Sequence, residues 1–446
     1  MVFTSVRRTL SWLNRVGGFV LHLLLSAALV LLVALFAIDS IPKPLNPDPV
    51  DRTQVLRHLN GLKQAMHHEN ATQAMQDLFP EGGAFMATFY GLSWANTAPH
   101  LSEAKRAEAL HEVAWALELQ TKDVVTYPFS DTQVHRGVFW LGQRNLLLGR
   151  YLSLMPPDQR PTVLVDEFHT HSQALNRAFL NSPTHHLDSY PQMAWPADNV
   201  TALASLLVHD QLYNTHYRDE AYATWKAWTL NHSDPDTGLP AGKLNIDTGE
   251  HRQPSRGCAT SLMIAMLGQL DPDFADTLYT QYTTHLGLQR LGVRMFREWP
   301  AHTDLAGDLD SGPIIWGAGV TATGVGLAAA RRMGDIATEA DIYDLSRTLG
   351  APQMTTFEER PSVRYLGGML PVGDLFLTWS LSIARPTPLE IEALPTVSDR
   401  LLQRWSLYLL LALIEGVLLL QMVWIGRSSY ARLREHAKED PSGSKN

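Results

Sequence analysis

The chain has 446 residues, of which 45% are apolar and 18% are charged, and it contains one cysteine. This composition excludes an intrinsically disordered chain, a collagen-like repeat and a disulfide-stapled domain. The net charge of −9 at pH 7 argues against nucleic acid as a partner, because phosphate backbones bind basic surfaces.

Two apolar stretches, at residues 16–38 and 405–425, predict membrane-spanning helices. Each is long enough to cross a hydrocarbon core of about 30 Å at a rise of about 1.5 Å per residue. Basic residues precede the first stretch and follow the second, so we expect the termini, 1–15 and 426–446, in the cytoplasm. The rest of the chain, after a linker at 39–48, is then expected outside the cytoplasm and anchored in the lipid by two helices.

Helical spacing of apolar residues predicts an all-α domain at 49–400. More apolar helices recur about every 60 residues and alternate with polar ones. The apolar helices are predicted to begin at Gly83, Gly137, Asp198, Gly257, Gly312 and Gly373. The polar helices are predicted at 49–68, 101–121, 158–181, 217–232, 272–286 and 335–350. A helix that is apolar on nearly all sides needs neighbours on all sides, so we predict an (α/α)6 toroid, a six-hairpin barrel with the apolar helices inside, rather than an open solenoid.

In such a ring the inner helices run in one direction, so the loops that lead into them meet at one mouth. These loops are rich in acidic, aromatic and basic side chains. Flat aromatic rings suit the faces of sugars, and the tryptophans in or near these loops are Trp94, Trp140, Trp195, Trp299 and Trp316. Ordinary core packing is the simpler interpretation of Trp140 and Trp316.

Asp198, Glu298 and Asp310 are the predicted catalytic acids and bases. Paired carboxylates in a low-dielectric cleft acquire different pKa values, so one acts as acid and the other as base, as glycoside cleavage requires. Each acid also has a structural interpretation. Asp198 opens a helix and equally suits an N-cap. Asp308 and Asp310 could form a turn plus a cap, but two acids beside Glu298-Trp299-Pro300 are more than a turn requires. We interpret Asp374 as a helix cap.

A second set of side chains is predicted to bind the substrate. These residues are Tyr190, Trp195, Arg256, Asp308, His135 and Trp299. Arg256 precedes a glycine at a helix start, where a guanidinium can hold an anionic group or a neighbouring carboxylate. His135 is either a proton shuttle or a surface histidine.

Adjacent histidines on a helix do not share a face, so we expect no metal site, and no cofactor motif is present. We interpret Cys258 as a small buried residue rather than a low-pKa nucleophile.

Four motifs follow one another along the chain: Tyr190-Pro-x-Met-Ala-Trp195 with Asp198-Asn199, Arg256-Gly257, Glu298-Trp299-Pro300, and Asp308-x-Asp310-Ser-Gly-Pro313. Together they resemble bacterial membrane-anchored proteins whose toroid is similar to the linalool dehydratase/isomerase domain, over residues 80–385. The resemblance implies acid/base loss and return of water on a tertiary isoprenoid alcohol, with cysteine, carboxylate, Tyr and His partners. It also implies an anchor in inner-membrane lipid of a bacterium, with the toroid periplasmic or extracellular. Cys258 is the only cysteine, so a cysteine-pair mechanism is not implied here, and no residue is assigned from the resemblance.

The leading hypothesis is an extracytoplasmic hydrolase or lyase that acts on a hydroxylated, glycan-like substrate, which predicts an open groove flanked by tryptophan. The second hypothesis is a terpenoid alcohol hydro-lyase or isomerase, which predicts a closed cavity lined by Met, Phe and Leu. The third is a non-catalytic envelope binding or scaffolding protein, whose acids all serve as helix caps or ion-pair partners. The sequence leaves the oligomeric state open.

Overall fold

The computed structural model describes residues 2–46, 48, 50–130, 132–301, 303, 305–386 and 394–439, with the backbone alone for 2–16, 429, 430 and 432–439. The chain forms two compact units. One unit is built from the two ends of the chain, up to residue 43 and from residue 396, and the other is built from residues 44–395.

The unit built from the chain ends consists of α1 (Val2–Asp39), α16 (Val397–Gln403) and α17 (Trp405–Glu439), and α1 packs against α17. Gly17–Asp39 and Trp405–Ser428 are long and apolar enough to span a membrane, with mean hydropathies of 2.8 and 2.2. Many of their leucines are exposed, as lipid-facing side chains would be. The prediction of two such helices is confirmed, and the side of the membrane on which the ends lie stays a prediction.

Helices dominate the second unit, as predicted. They are α2 (Arg52–His68), α3 (Ala71–Leu78), α4 (Gly82–Thr97), α5 (Glu103–Leu119), α6 (Asp123–Thr126), α7 (Gly137–Ser153), α8 (Thr162–Asn181), α9 (Pro196–Tyr213), α10 (Tyr217–Asn231), α11 (Gly257–Leu270), α12 (Pro272–His285), α13 (Val320–Met333), α14 (Ile336–Gly350) and α15 (Pro371–Ser382), with 3₁₀ turns at Ala98–His100, Pro157–Gln159 and Leu366–Gly368. The predicted polar helices correspond to α2, α5, α8, α10, α12 and α14.

The more apolar helices contact one another in chain order. Helix α4 packs on α7, α7 on α9, α9 on α11, α11 on α13, α13 on α15, and α15 returns to α4. Small residues allow the close approach within this series. A Cβ atom on Gly142 of α7 would lie 2.9 Å from the Cβ of Ala202 of α9, and one on Gly91 of α4 would lie 2.8 Å from the Leu147 side chain. The large side chains of α4, such as Phe89 and Trp94, are correspondingly buried.

Short strands, which the apolar periodicity does not predict, interrupt the helices. They are β1 (Met193–Ala194), β2 (Lys243–Asn245), β3 (His251–Gln253), β4 (Gly287–Arg290), β5 (Val293–Phe296), β6 (Ile314–Ile315), β7 (Ala318–Gly319), β8 (Gln353–Phe357) and β9 (Arg360–Arg364). They pair antiparallel as a β1-β2-β3 sheet and as the hairpins β4-β5, β6-β7 and β8-β9. The β8-β9 turn is Glu358-Glu359, both with positive φ, which suits the twist of a two-residue hairpin but uses residues that do not signal a turn.

The predicted start of the fifth apolar helix at Gly312 is wrong. Helix α13 begins at Val320, and Gly312 itself has a φ of 67° in a turn followed by Pro313 and the β6-β7 hairpin. Trp316 lies in the turn of that hairpin with a φ of 51° and is 74% exposed, so its interpretation as a packed core residue is also wrong. The chain here forms a loop rather than an extra turn of helix because Gly312 and Gly317 both adopt left-handed backbone conformations.

Candidate active site

A cavity of about 990 Å³ lies where the first turns of the apolar helices meet. Glu81 immediately precedes α4, Asp198 is in the first turn of α9, and Arg256 immediately precedes α11. Val320 begins α13 and Val372 lies in the first turn of α15, and all five residues line the cavity. Side chains that are distant in sequence therefore become neighbours at one end of these helices.

Most of the cavity wall is apolar. Its Leu, Phe and Val side chains are Leu78, Phe79, Phe85, Phe139, Leu262, Leu309, Val320, Val325, Leu370, Val372 and Phe376. Three of the aromatic rings pack against one another, with Phe85 centred 5.2 Å from Phe139 and 5.5 Å from Phe376. Such a wall binds an apolar body and leaves the polar groups of the site to orient it.

Arg256 holds three acidic side chains together on the polar side of this site. Its side chain is only 4% exposed, and its Nε donates to Glu298 Oε1 at 2.5 Å. The guanidinium also donates to Asp308, and it donates to Asp310 Oδ1 at 3.0 Å. Its guanidinium carbon lies 5.4 Å from the ring centroid of Trp299. A buried arginine with this many charged partners fixes the positions of the acids.

Asp308 and Asp310 titrate differently although they share Arg256. Burial acts to raise the pKa of Asp308, but the Asp310 hydrogen bond and the Arg256 charge outweigh it and hold that pKa below its usual range. Burial, together with the hydrogen bond to Asp308, raises the pKa of Asp310 to about 7. Asp308 also accepts from the backbone N–H of Ser311 at 3.1 Å, so the turn interpretation and the arginine partnership both apply to it.

Asp198 is the third residue of α9, and Trp195 occupies the N-cap position. The N-cap interpretation of Asp198 is therefore wrong. Its Oδ2 accepts from the Ser189 hydroxyl at 2.6 Å. Burial raises the pKa of Asp198 to about 7, with further contributions from the charges of Glu81 and Asp310. A carboxyl group with this pKa is present in both protonation states at neutral pH, as a general acid or base requires.

Tyr190 joins this polar region through Glu81, a residue that was not among the predicted site residues. Its hydroxyl donates to Glu81 Oε1 at 2.5 Å, and burial, with the neighbouring Glu81 charge, raises the pKa of Tyr190. The Trp195 ring lies 5.9 Å from that of Tyr190 and carries the Lys243 ammonium 5.3 Å above it. Glu81 shows no distinctive motif, and its one signal is its position directly before an apolar helix.

Glu298 is fully buried behind the cavity wall, where it bonds Arg256 and Cys258. The Cys258 thiol donates to Glu298 Oε1 at 3.1 Å, and Glu298 Oε2 has no hydrogen-bond partner among the residues that the structure describes. Burial raises the pKa of Glu298. The Gly257 N–H donates to the Glu298 carbonyl at 2.7 Å, and a Cβ on Gly257 would lie 2.0 Å from the Arg297 carbonyl oxygen. Only glycine allows this approach.

Cys258 is half-buried, packs against the hydrophobic core and also lines the cavity. Burial, followed by the Glu298 charge, raises the pKa of its thiol well above the ordinary value of 9.0. The thiolate is the reactive form of cysteine, so this thiol is protonated and weakly nucleophilic at neutral pH.

The pH dependence of Cys258 alkylation tests this environment. We expect the rate of iodoacetamide labelling, followed by mass spectrometry, to rise only above the ordinary thiol pKa of 9.0. Glu298→Gln removes the nearby negative charge and should move that rise to lower pH. Labelling of the parent protein that is already maximal at pH 8 would contradict this account.

Several predicted site residues lie elsewhere. His135 and Arg136 line a separate cavity of about 470 Å³, and His135 packs edge-on against the buried Trp140. Trp299 is buried, and its Nε1 donates to the Ala306 carbonyl at 3.1 Å, so it contributes through Arg256 rather than as a cavity wall. Trp94 is buried in the C-terminal half of α4 and is no loop residue.

Asp374 is not a cap. It lies in the first turn of α15 without a capping bond, accepts from the Tyr365 N–H at 3.1 Å and lies 3.4 Å from Arg364 Nε. Burial raises its pKa to about 7. Asp374 does not line the large cavity, although its neighbour Gly373 does.

In the part of the chain that the structure describes, no group of three or more His, Cys, Asp or Glu side chains is arranged to hold a metal ion. Of the nine predicted site residues, Tyr190, Trp195, Asp198, Arg256, Asp308 and Asp310 line one cavity. No protein-family model matches this chain, and no curated protein matches it.

Proposed function

We propose that this protein is a membrane-anchored enzyme that uses carboxyl groups for acid/base chemistry at a hydroxyl group of a largely apolar alcohol. The reaction class is loss or addition of water, or the isomerisation that follows from both. One observation carries this proposal: Asp198 and Asp310, both with a pKa of about 7, line a cavity whose other walls are mainly Phe, Leu and Val.

The two carboxyl groups would have complementary roles. In dehydration, the protonated carboxyl donates its proton to the substrate hydroxyl, the C–O bond breaks, and water leaves. The ionised carboxyl removes a proton from the neighbouring carbon, and that C–H electron pair forms the alkene. After dehydration, the carboxyl that donated its proton is ionised and the carboxyl that accepted one is protonated. Hydration runs through the same steps in reverse. Asp310 is held for this role by Arg256, and Asp198 by Ser189.

The contacts among the apolar helices support an (α/α)6 toroid for this unit, because they follow chain order and return from α15 to α4. A toroid whose inner helix starts surround a cavity is the architecture that the resemblance to the linalool dehydratase/isomerase domain implies. We place the unit outside the cytoplasm of a bacterial cell, with both chain ends inside, from the charges that flank the two apolar helices.

A glycan-like substrate is the second candidate, favoured by Trp195, whose ring lines the cavity beside Tyr190 and the carboxyl groups. It is the weaker one, because Trp195 is the only one of the five predicted tryptophans to line this cavity. A purely structural role for the acids fits less well, since Asp198 makes no cap and lies on the cavity wall.

Asp310→Asn tests the proposed carboxyl chemistry. We expect turnover to fall by about tenfold or more, because general acid/base groups contribute about 10²–10⁴-fold and Asp308 can replace part of the lost function. The assay should present terpenoid alcohols and envelope glycans to the full-length protein and follow products by mass spectrometry. Unchanged turnover of whichever substrate is active would contradict the proposal.

A further inference from the structure

Two polar side chains on the cavity wall have no polar partner within the described part of the chain. They are Lys243 of β2 and Gln253 of β3, and both line the cavity. These two residues are Cα partners in the antiparallel β2-β3 pair, so their side chains leave the same face of this small sheet. The strand register therefore brings an ammonium group and an amide group together at the edge of the site.

The Lys243 ammonium has no counter-ion among the residues that the structure describes. No carboxylate oxygen of these residues lies within 4.0 Å of its Nζ, which instead lies 5.3 Å from the ring centroid of Trp195. The four acidic side chains that line the cavity accept hydrogen bonds from other groups, namely Tyr190, Ser189 and Arg256. An aromatic face attracts a cation but does not neutralise it, so Lys243 brings an uncompensated positive charge to the cavity.

The Gln253 amide is the second group without a partner. Its side chain makes no hydrogen bond with the described residues, and its Oε1 is buried. Buried amides are nearly always hydrogen-bonded in folded proteins, so an unpaired one on a cavity wall indicates a group that a ligand completes. The ammonium of Lys243 offers three N–H donors and the amide offers two. Together they match a ligand group that is rich in acceptor oxygens.

This polar pair lies beside the proposed acid/base groups. A Cβ atom on Gly242, the residue before Lys243, would lie 3.1 Å from the Cβ of Arg256. The Trp195 ring, which contacts the Lys243 ammonium, also lies 5.9 Å from the Tyr190 ring. A group bound at Lys243 can therefore belong to the same small molecule that reaches the carboxyl groups.

Charge decides which acceptor group fits best. An uncharged apolar molecule that filled the cavity would remove water from the ammonium and the amide and give neither a new partner, which costs free energy. An anionic group would replace that water with charge-assisted hydrogen bonds, which are roughly twice as strong as neutral ones. The site therefore favours an amphiphile whose apolar body lies on the phenylalanine rings and whose anionic group lies at Lys243.

We propose that Lys243 and Gln253 form a subsite for an anionic oxygen acid, a carboxylate or a phosphate ester, carried by the alcohol that enters the cavity. The anion site itself rests on the two unpaired side chains. That the anion is part of the substrate alcohol rests on the function proposed above. Lys243 would then select the substrate without taking part in the proton transfers.

Calorimetric titration of the full-length protein in phosphatidylcholine nanodiscs tests this subsite without any assay of turnover, with empty nanodiscs as the blank. The probes are octanoate, octyl phosphate and 1-octanol, which share one apolar chain and differ in the end group. We expect at least one anion to bind more tightly than 1-octanol, and the tighter of the two identifies the acid. Lys243→Met should weaken binding of that anion by about tenfold or more, as the loss of a charge-assisted hydrogen bond does, with a much smaller effect on 1-octanol.

Three further variants separate charge, hydrogen bonding and general effects. Lys243→Arg keeps the charge and should retain most of the affinity for the anion. Gln253→Leu removes only neutral donors and should cost about threefold to tenfold in affinity. Lys105→Met is the matched control, because Lys105 is exposed on α5 and does not line the cavity, and it should leave the affinity unchanged.

Acetylation of the parent protein provides a measurement that needs no variant. A brief treatment with acetic anhydride, followed by mass spectrometry of peptides, reports how accessible each lysine is. The favoured anion, at ten times its Kd, should slow acetylation of Lys243 by about tenfold, the factor by which the free site is depleted, and should leave Lys105 unaffected.

Equal anion affinities of the parent and Lys243→Met would overturn the subsite, and so would acetylation of Lys243 that neither anion slows. Anion binding that requires Lys243, in a protein that converts no alcohol, would support the subsite and contradict the proposed function. Turnover of uncharged alcohols that is as fast as that of their anionic counterparts, and that Lys243→Met leaves unchanged, would support the proposed function and contradict an anionic substrate.

Discussion

Replacing Asp198 with asparagine is expected to abolish turnover and, at alkaline pH, to stabilise the folded protein. Asparagine keeps the size of the side chain but can neither donate nor accept the catalytic proton, so we expect a loss of about 10²–10⁴-fold in kcat. A substitution that lowers activity and raises stability identifies a side chain that serves the reaction at the expense of folding. Turnover and thermal unfolding of the same purified protein measure the two effects.

The sign of the stability effect follows from the pKa of Asp198. Burial raises this pKa from 3.8 to about 7. Between these two pH values, the folded state therefore keeps a proton that the unfolded state has lost. The contribution of this group to the free energy of unfolding is therefore fully present below about pH 4 and is lost as pH rises through 7. The asparagine side chain does not titrate, so the variant should gain up to about 4 kcal/mol over the parent at pH 8 and nothing at pH 4, since each pKa unit corresponds to about 1.4 kcal/mol.

Ser189→Ala provides a second measurement on the same carboxyl group. The Ser189 hydroxyl donates to Asp198, which lowers the pKa of that group, so its removal should move the pH profile of kcat upward. Asp374→Asn is the matched control for activity, because burial gives Asp374 a similar pKa of about 7 but it lies outside the cavity lining. If Asp374→Asn lost as much turnover as Asp198→Asn, the assignment of Asp198 as a catalytic residue would be contradicted.

Substitution of Arg256 by methionine is expected to destabilise the fold by about 3–5 kcal/mol, because it leaves the buried Glu298 carboxylate uncompensated. The charges of Asp308 and Asp310 would also repel each other without the guanidinium between them. Denaturant unfolding at pH 7.5 measures the loss.

The control for Arg256 is an exposed arginine in a comparable ion pair. Arg252→Met breaks only the solvent-exposed pair with Glu250, which should cost about 1 kcal/mol or less. Adding Glu298→Gln to Arg256→Met should recover part of the lost stability, since the double variant no longer buries an unpaired charge. Equal effects of Arg256→Met and Arg252→Met would show that the cluster contributes little to folding.

The helical repeat made part of the cavity predictable. Regular spacing placed Asp198 and Arg256 near the starts of successive apolar helices, and a common direction of those helices brings such positions together, whereas Asp310 reaches the same cavity from the loop before the β6-β7 hairpin. Glu81 escaped notice because an acid before Gly-Gly has no signature in sequence. The contact between Cys258 and Glu298 was also unpredictable, since it depends on a backbone hydrogen bond from Gly257 to residue 298, far along the chain.

The errors share a physical origin in local backbone conformation. Gly312 resembled a helix start because glycine often flanks helices, whereas its positive φ places it in a turn. Trp316 resembled a core residue because tryptophan is apolar, whereas a hairpin turn exposes it. Dihedral angles at single residues decided both outcomes, and apolar periodicity carries no information about them.

The close approach at Gly257 offers a criterion for recognising distant relatives of this protein. Any side chain there would meet the Arg297 carbonyl oxygen and separate the start of α11 from the strand that precedes Glu298. A homologue with alanine or serine at this position cannot keep the same architecture beneath its pocket, however similar its remaining sequence is.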